Sequence, residues 1–328
     1  MNVWKRRMEL DQKGCKISQP LMISQLNALV EQGKLSNLIR DCETEHQAAL
    51  DAITHRIMEE GSRVVFLAGP SSSGKTTSAA RLVDRLRTLG KQPVTVSLDD
   101  YYIDRDHLEP DADGKLDLEH IRTIDTALFR QHLTKLLAGE TVSLPHFDFT
   151  TGRRTSSVRV LALKQQSILI VEGIHGLNPL LQPAGIQKEE VFRLYVSPAW
   201  NICLSSEECV DDRDLRLLRR IIRDQRTRGT APEKTLEMWE SVGRGEQRWI
   251  LPFRRSADAC FNSALPYEPV FLKGRLEILE ANGDNGLVGN DWFRGAAKVL
   301  GAVAGVVDDC AVPHNSILRE FIGGSGVW

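Results

Sequence analysis

Three short stretches of the chain gather the residue types that handle phosphate and protons. The first, "GPSSSGKTT", runs from Gly69 to Thr77 and fits G-x-x-x-x-G-K-[ST]. Its context matters as much as its letters: the apolar run "RVVFLAG" precedes it and an amphipathic stretch ending at Gly90 follows, the strand and helix this loop needs. Glycines at 69 and 74 let the backbone curl so that its N–H groups face a phosphate, and the helix N-terminus adds its positive dipole end. Gly69, Pro70, Ser71, Ser72, Ser73, Gly74, Lys75, Thr76 and Thr77 form the candidate ATP site. Lys75 would reach the β- and γ-phosphates and Thr76 would ligate Mg²⁺. A Gly/Ser-rich turn matching by chance is the alternative, and the flanking elements weigh against it.

The second and third stretches supply carboxylates. Asp99 and Asp100 follow "PVTVSL", and Glu172 follows "ILIV" in "VEGIHG". Ligands of an open parallel sheet gather at the carboxyl ends of its strands, where these residues fall. Phosphoryl transfer to an alcohol needs a base for the hydroxyl proton and oxygen ligands for Mg²⁺. Asp99 and Glu172 are candidates for those tasks. Asp100 is equally well read as a cap or turn residue, as Asp commonly is.

Cationic groups come from "RDLRLLRRIIRDQR", Arg213 to Arg226. A turn of about 100° per residue puts Leu215, Leu217, Leu218, Ile221 and Ile222 on one side and Arg216, Arg219, Arg220, Arg223 and Arg226 on the other. A solvated basic face is the usual reading of such a stripe, but arginine throughout with no lysine suits bidentate contact with phosphate or carboxylate more than plain solubility. The following segment carries glycines at 229, 243 and 245 and more arginines, which predicts a mobile lid over about 213–258 that closes on phosphates and excludes water.

The elements that must position these groups form an α/β fold. "RVVFLAG", "PVTVSL", "QSILIVEG" and "VFRLYVS" read as buried strands, and helical stretches at 76–89 and 121–138 separate most of them. That pattern predicts a mostly parallel sheet flanked by helices, a P-loop NTPase architecture. Residues 1–60 read as a helical N-terminal extension, 61–280 as the kinase-like domain, and 281–328 as a C-terminal helix and tail packed on it, introduced by the "ANGDNG" loop. The 328 residues are 41% hydrophobic and 26% charged, with net charge −2. No run approaches the roughly 20 apolar residues of a membrane helix, and no apolar segment follows the basic start, so a cytoplasmic protein is expected. The net charge offers no general attraction to nucleic acid. Six scattered cysteines, at 15, 42, 203, 209, 260 and 310, read as reduced thiols. His107, His120, His132, His146 and His175 lack ligand spacing. Trp239, Trp249, Phe253 and Phe261 read as core aromatics.

Taken together, "AGPSSSGKTT", "SLDDYYIDR", "LPHFDFTTGRR", "VEGIHGLNP", "RLLRRIIRDQRTRGTAPEKTLEMWESVGRGE", "ADACFNSALPYE" and "SILREFIGGS" resemble the uridine kinase and phosphoribulokinase family of P-loop kinases, in its bacterial nucleoside kinase branch. The resemblance runs from about residue 20 to the end. It implies that Asp99 takes the proton of a ribose 5′-hydroxyl, with Lys75, Thr76 and Glu172 around ATP and Mg²⁺. It further implies that Tyr102, Glu119, Phe147 and Arg220 contact the nucleoside acceptor and that Arg223 and Arg228 clamp phosphate. The chain departs from animal relatives at Gly152, where they carry a base-reading histidine, at Phe147, which lacks a hydroxyl some relatives use, and at Ile121, which replaces a usual proline.

The reading is thus an ATP- and Mg²⁺-dependent kinase for the 5′-hydroxyl of uridine or cytidine, with a homo-oligomer allowed. A same-fold kinase for a sugar phosphate or modified nucleoside, and a non-enzymatic ATP-binding regulator, are the alternatives. "SILREFIGG" has no chemical role at this level.

Overall fold

The computed structural model describes residues 21–109, 117–156, 159–182, 186–199, 202–209, 212–281 and 293–326. Residues 1–20, including Cys15, and residues 282–292 of the expected "ANGDNG" connection lie outside them. In chain order the elements are β1 (Leu21–Met22), α1 (Ile23–Glu31), α2 (Leu35–Glu59), β2 (Val64–Ala68), α3 (Lys75–Thr88), β3 (Gln92–Ser97), α4 (Thr126–Leu137), β4 (Val142–Leu144), β5 (Phe147–Asp148), β6 (Arg153–Arg154), β7 (Arg159–Leu161) and β8 (Ser167–Glu172). The chain continues through β9 (Val191–Ser197), β10 (Ile202–Cys203), α5 (Asp212–Arg228), α6 (Pro232–Gly245), β11 (Ala259–Asn262), α7 (Glu268–Ala281), α8 (Arg294–Ala302) and α9 (Arg319–Ile322).

Five strands make one parallel sheet in the order β11-β9-β2-β8-β3. Successive side chains of a strand point to opposite faces, so a strand covered on both sides is apolar throughout. β2 does this: Val65 and Leu67 join a core with α1, α2, α3 and α5, while Val64 and Phe66 join a second core with α4, and all four are fully buried. The four apolar runs expected as strands are β2, β3, β8 and β9. β11 was not visible as a strand in the sequence, because "ACFN" is only four residues long and ends in a polar residue. Trp239 and Phe261 are core residues, as expected.

The helix expected from 121 begins later. Asp125 caps it by accepting from the Leu128 N–H at 3.0 Å, and a 3₁₀ turn at Ile121–Thr123 takes up the preceding residues. The thiols need a correction too. Cys203 and Cys209 are joined in a disulfide, because the tight turn between them, with the Leu204 N–H donating to Glu208 O at 2.8 Å, brings their Cα atoms to 3.9 Å. Cys42 is a buried thiol and Cys310 an exposed one. No described helix is long and apolar enough to cross a membrane.

α5 follows the bidentate reading of its arginines and not the solvated stripe: Arg216, Arg219 and Arg220 are buried beside the leucines. Carboxylates brought from elsewhere make this tolerable. Arg216 makes a two-bond pair with Glu246, both at 2.9 Å, and Arg219 a two-bond pair with Glu268 at 2.7 and 2.6 Å. Buried guanidinium groups need such partners, since an unpaired buried charge is costly. The expected lid is also helical: α6 runs into a single π-helical turn at Glu246–Ile250 and then a 3₁₀ turn at Leu251–Ser256. Gly243 and Gly245 lie inside α6 with contacts too close for a side chain, so they serve close packing.

Candidate active site

The phosphate loop joins the central strand β2 to α3. Gly69 is there because a Cβ at that position would lie 2.0 Å from Val196 O. Gly74 has φ +82°, and a Cβ there would also strike Ile317 Cγ2 at 2.6 Å. Ser72 takes φ +58°, a strained conformation for a residue with a side chain and one found where backbone amides are turned toward an anion. The hydroxyls of Ser72 and Ser73 are buried with no protein partner among the described residues, as expected of a cradle built for a polar guest. These observations fit a polyphosphate. Lys75 lies at the first position of α3 and donates to Pro70 O at 3.0 Å.

Topology brings the carboxylates to the same edge. Glu172 ends β8, the neighbour of β2, and pairs in register with Leu67 and with Ser97 of β3. Ser97 Oγ donates to Glu172 Oε1 at 2.9 Å and accepts from the Asp99 N–H at 3.3 Å, linking the two acidic residues through one hydroxyl. Asp99 stands on the 3₁₀ turn Leu98–Tyr101. Asp100 points elsewhere: it pairs with His146 Nδ1 at 2.9 Å and accepts from the Phe147 N–H at 3.5 Å, which fixes the strand carrying Phe147. Asp100 is therefore a structural support.

A cleft of about 960 Å³ collects these groups. Ser71, Ser72, Lys75, Thr76, Asp99, Tyr102, Glu119, Phe147, Glu172, Arg220, Arg223 and Arg228 all line it. Of the expected site residues, Gly69, Pro70, Ser73, Gly74 and Thr77 do not. They shape the loop and the start of α3 behind its wall. One side of the cleft is aromatic, with Tyr102, Phe147 and Phe149 in mutual contact at ring separations of 5.3 to 5.8 Å and the Arg228 guanidinium 5.1 Å above Phe149. The other side is cationic. Arg220, Arg223 and Arg228 all pair with the buried Asp224, at 3.3, 2.7 and 3.5 Å.

Burial dominates the electrostatics. It raises Glu119 to about 7 against the opposing field of Arg220. It raises Glu172 to about 7, helped by the like charge of Asp99. Asp99 is raised by burial and restrained by Lys75, and Lys75 is lowered by burial and restrained by Glu172 and Asp99. A carboxylate whose proton affinity is lifted toward neutrality is suited to accept a proton near physiological pH. The oxygen donors of Thr76, Glu172 and Asp99 match the hard-ligand preference of Mg²⁺.

Comparison with known proteins decides the family. The sequence profile of the Phosphoribulokinase / Uridine kinase family matches residues 64–207. Uridine kinase from Proteus mirabilis is 31% identical over 198 residues, 60% of this chain and 84% of that protein. The chain belongs to the phosphoribulokinase and uridine kinase family. Uridine kinase from Macrococcus caseolyticus is 29% identical over 60% of this chain and 85% of its own. A solved structure of a possible uridine kinase from Bacillus stearothermophilus superposes with a TM-score of 0.45 at 19% identity, over 66% of this chain and 99% of that one. This chain is a P-loop kinase, a phosphotransferase, and the reading as a non-enzymatic regulator falls away.

Two parts of the kinase's cleft escaped sequence reasoning. Arg105 lines it, donating to Phe149 O at 3.0 Å and lying across Gly152, where a Cβ would meet Arg105 Cδ at 2.6 Å. The C-terminal tail is the other: Arg319, Glu320, Gly324 and Ser325 line the cleft. Its motif was visible in the sequence, but no local pattern tells a tail which distant loop it will meet.

Proposed function

We propose that this kinase transfers the γ-phosphoryl group of ATP to the 5′-hydroxyl of a pyrimidine nucleoside, uridine before cytidine. The observation that carries the reading is the single cleft in which Lys75, Asp99 and Glu172 face an aromatic wall of Tyr102, Phe147 and Phe149. The naming of similar proteins as uridine kinases supports it.

In this reading the phosphate loop and Lys75 hold the donor's phosphates. Asp99 accepts the proton of the attacking hydroxyl. Arg223 and Arg228 meet the charge of the transferring group, and their shared hold on Asp224 sets their positions in advance, so little reorganisation is needed during transfer. Glu119 and Arg220 hold the acceptor's ribose, and the base lies against Phe147 and Tyr102. Thr76 and Glu172 hold Mg²⁺, which supplies positive charge beside the phosphates when bound. Positioning and charge carry most of the acceleration in such transfers.

A second reading is favoured by Arg105. A guanidinium in the acceptor half of the cleft, with no ion pair among the described residues, suits a phosphorylated sugar as well as a base carbonyl. ADP release from ATP with a panel of nucleosides and sugar phosphates separates the two. Uridine and cytidine are expected to be turned over, and no turnover of any pyrimidine nucleoside would refute the first reading.

A further inference from the structure

The first turn of α3 leaves its leading amides without partners inside the helix, and in a phosphate loop those donors are the ones offered to the nucleotide. One of them is already taken. Glu320 Oε2 accepts both the Thr77 N–H at 3.2 Å and the Thr77 hydroxyl at 2.8 Å. Thr77 is fully buried at the third position of α3, and Glu320 reaches it from 243 residues further along the chain. We propose that Glu320 is an internal competitor of the donor nucleotide, its carboxylate and a nucleotide phosphate being mutually exclusive occupants of the Thr77 donors.

The tail is built to deliver this carboxylate. Arg226 donates to Glu320 O at 3.0 Å and to Phe321 O at 3.2 Å, and Arg319 is anchored on Asp309 and Val312 O. Phe321 is fully buried under the Arg219 guanidinium, 4.7 Å from its ring, and Ile317 closes over Gly74. The backbone of α9 is thus pinned on two sides. The carboxylate is not: its hydrogen-bond partners among the described residues are the two donors of Thr77, and no described cation makes an ion pair with it. It stands in the field of Glu172, a like charge, and of Lys75, a cation without a direct ion pair to it that an incoming phosphate would also engage. A carboxylate with good donors but no direct ion pair among the described residues, in a cleft already rich in acid, is held well enough to be ordered and weakly enough to be exchanged for a phosphate bearing more charge. Phosphate arrival at α3 is thereby coupled to the contact that joins α9 to the loop.

The inference rests on the phosphate loop being the nucleotide site, and the test separates the two. ADP binding is measured by calorimetry on wild type, Glu320→Gln and Glu320→Ala, with thermal melting of each. Removing the competitor should tighten ADP by about three- to tenfold, the scale of one charge-assisted contact. A part that merely supported the loop would weaken ADP when removed. Unchanged or weaker ADP binding in variants that melt near wild type overturns the competition alone, whereas no ADP binding by any of the three proteins overturns the nucleotide site and the competition with it. A measurement on wild type covers the case in which both variants fail to fold: amide exchange in residues 317–323 should accelerate when ADP binds, and unchanged or slower exchange overturns the proposal.

Discussion

Arg219 is the most exacting test of how the phosphate loop is supported. It and Glu268 are both fully buried. Its guanidinium makes two bonds to Glu268 at 2.7 and 2.6 Å, one to Ser263 O at 2.7 Å and a long one to Ser72 O at 3.4 Å in the loop itself. Arg219→Met removes all four and leaves Glu268 charged and buried. Removing one partner of a buried pair costs about 3–5 kcal/mol. The lower end is expected here, because Glu268 keeps the Leu265 N–H at 2.9 Å and sits in the first turn of α7, where the helix dipole favours an anion. The expectation is therefore a loss of about 3 kcal/mol in urea denaturation, accompanied by weaker ADP binding as Ser72 loses its support. Adding Glu268→Gln to the same protein removes the stranded charge while keeping an acceptor for Leu265, and should recover about 2 kcal/mol of the loss. A single variant within about 1 kcal/mol of wild type, or strictly additive effects in the pair, would refute the account of α5 as a helix held by buried ion pairs.

Asp99→Asn should leave ADP binding in place and lower turnover by about 10²-fold or more, the contribution of a general base; unchanged turnover removes Asp99 from that role. Gly245→Ala should be favoured by about 1 kcal/mol of helix propensity, yet its Cβ would lie 2.3 Å from Glu119 Cβ, so Glu119 must shift. Steady-state kinetics should show a higher KM for the acceptor with ADP affinity unchanged; an unaltered KM would separate Glu119 from the acceptor. Glu119 also carries a pH signature. The folded protein keeps its proton to about 7 while the unfolded chain releases it near the ordinary 4.5, so the folded state binds more protons between these values. Its contribution to stability therefore falls as pH rises through that window, by on the order of 1–3 kcal/mol. Glu119→Gln is free of this loss, and its melting temperature relative to wild type should rise from pH 5 to pH 8; a fall would contradict the burial of Glu119.

What the sequence disclosed was local in cause. β2, β3, β8 and β9 are continuous apolar runs, the phosphate loop is a contiguous motif, and Asp99 and Glu172 follow directly from being the residues at strand ends. In α5 the all-arginine face pointed to bidentate contacts, but the 3.6-residue period separates polar from apolar faces without saying which carboxylates lie opposite the polar one. Glu246 and Glu268, 30 and 49 residues downstream, convert an apparent surface stripe into an interior one. The tail is the same problem at greater range, since the meaning of Glu320 depends on Thr77. The disulfide was missed for another reason: six-residue spacing is common, and only the turn between Cys203 and Cys209 makes it a bridge.

The three arginines gathered on Asp224 have a consequence for how the kinase responds to its surroundings. One carboxylate ion-pairs with Arg220, Arg223 and Arg228, so these direct pairs leave two positive charges over, opposed at longer range by Asp99 and Glu119. The protein lives with that imbalance, and a polyphosphate relieves it. Ligand binding is then partly the discharge of a stored repulsion, which dissolved salt also discharges. The thermal stabilisation that ADP confers should accordingly be largest at low ionic strength and shrink as the screening length falls to about 8 Å near physiological salt.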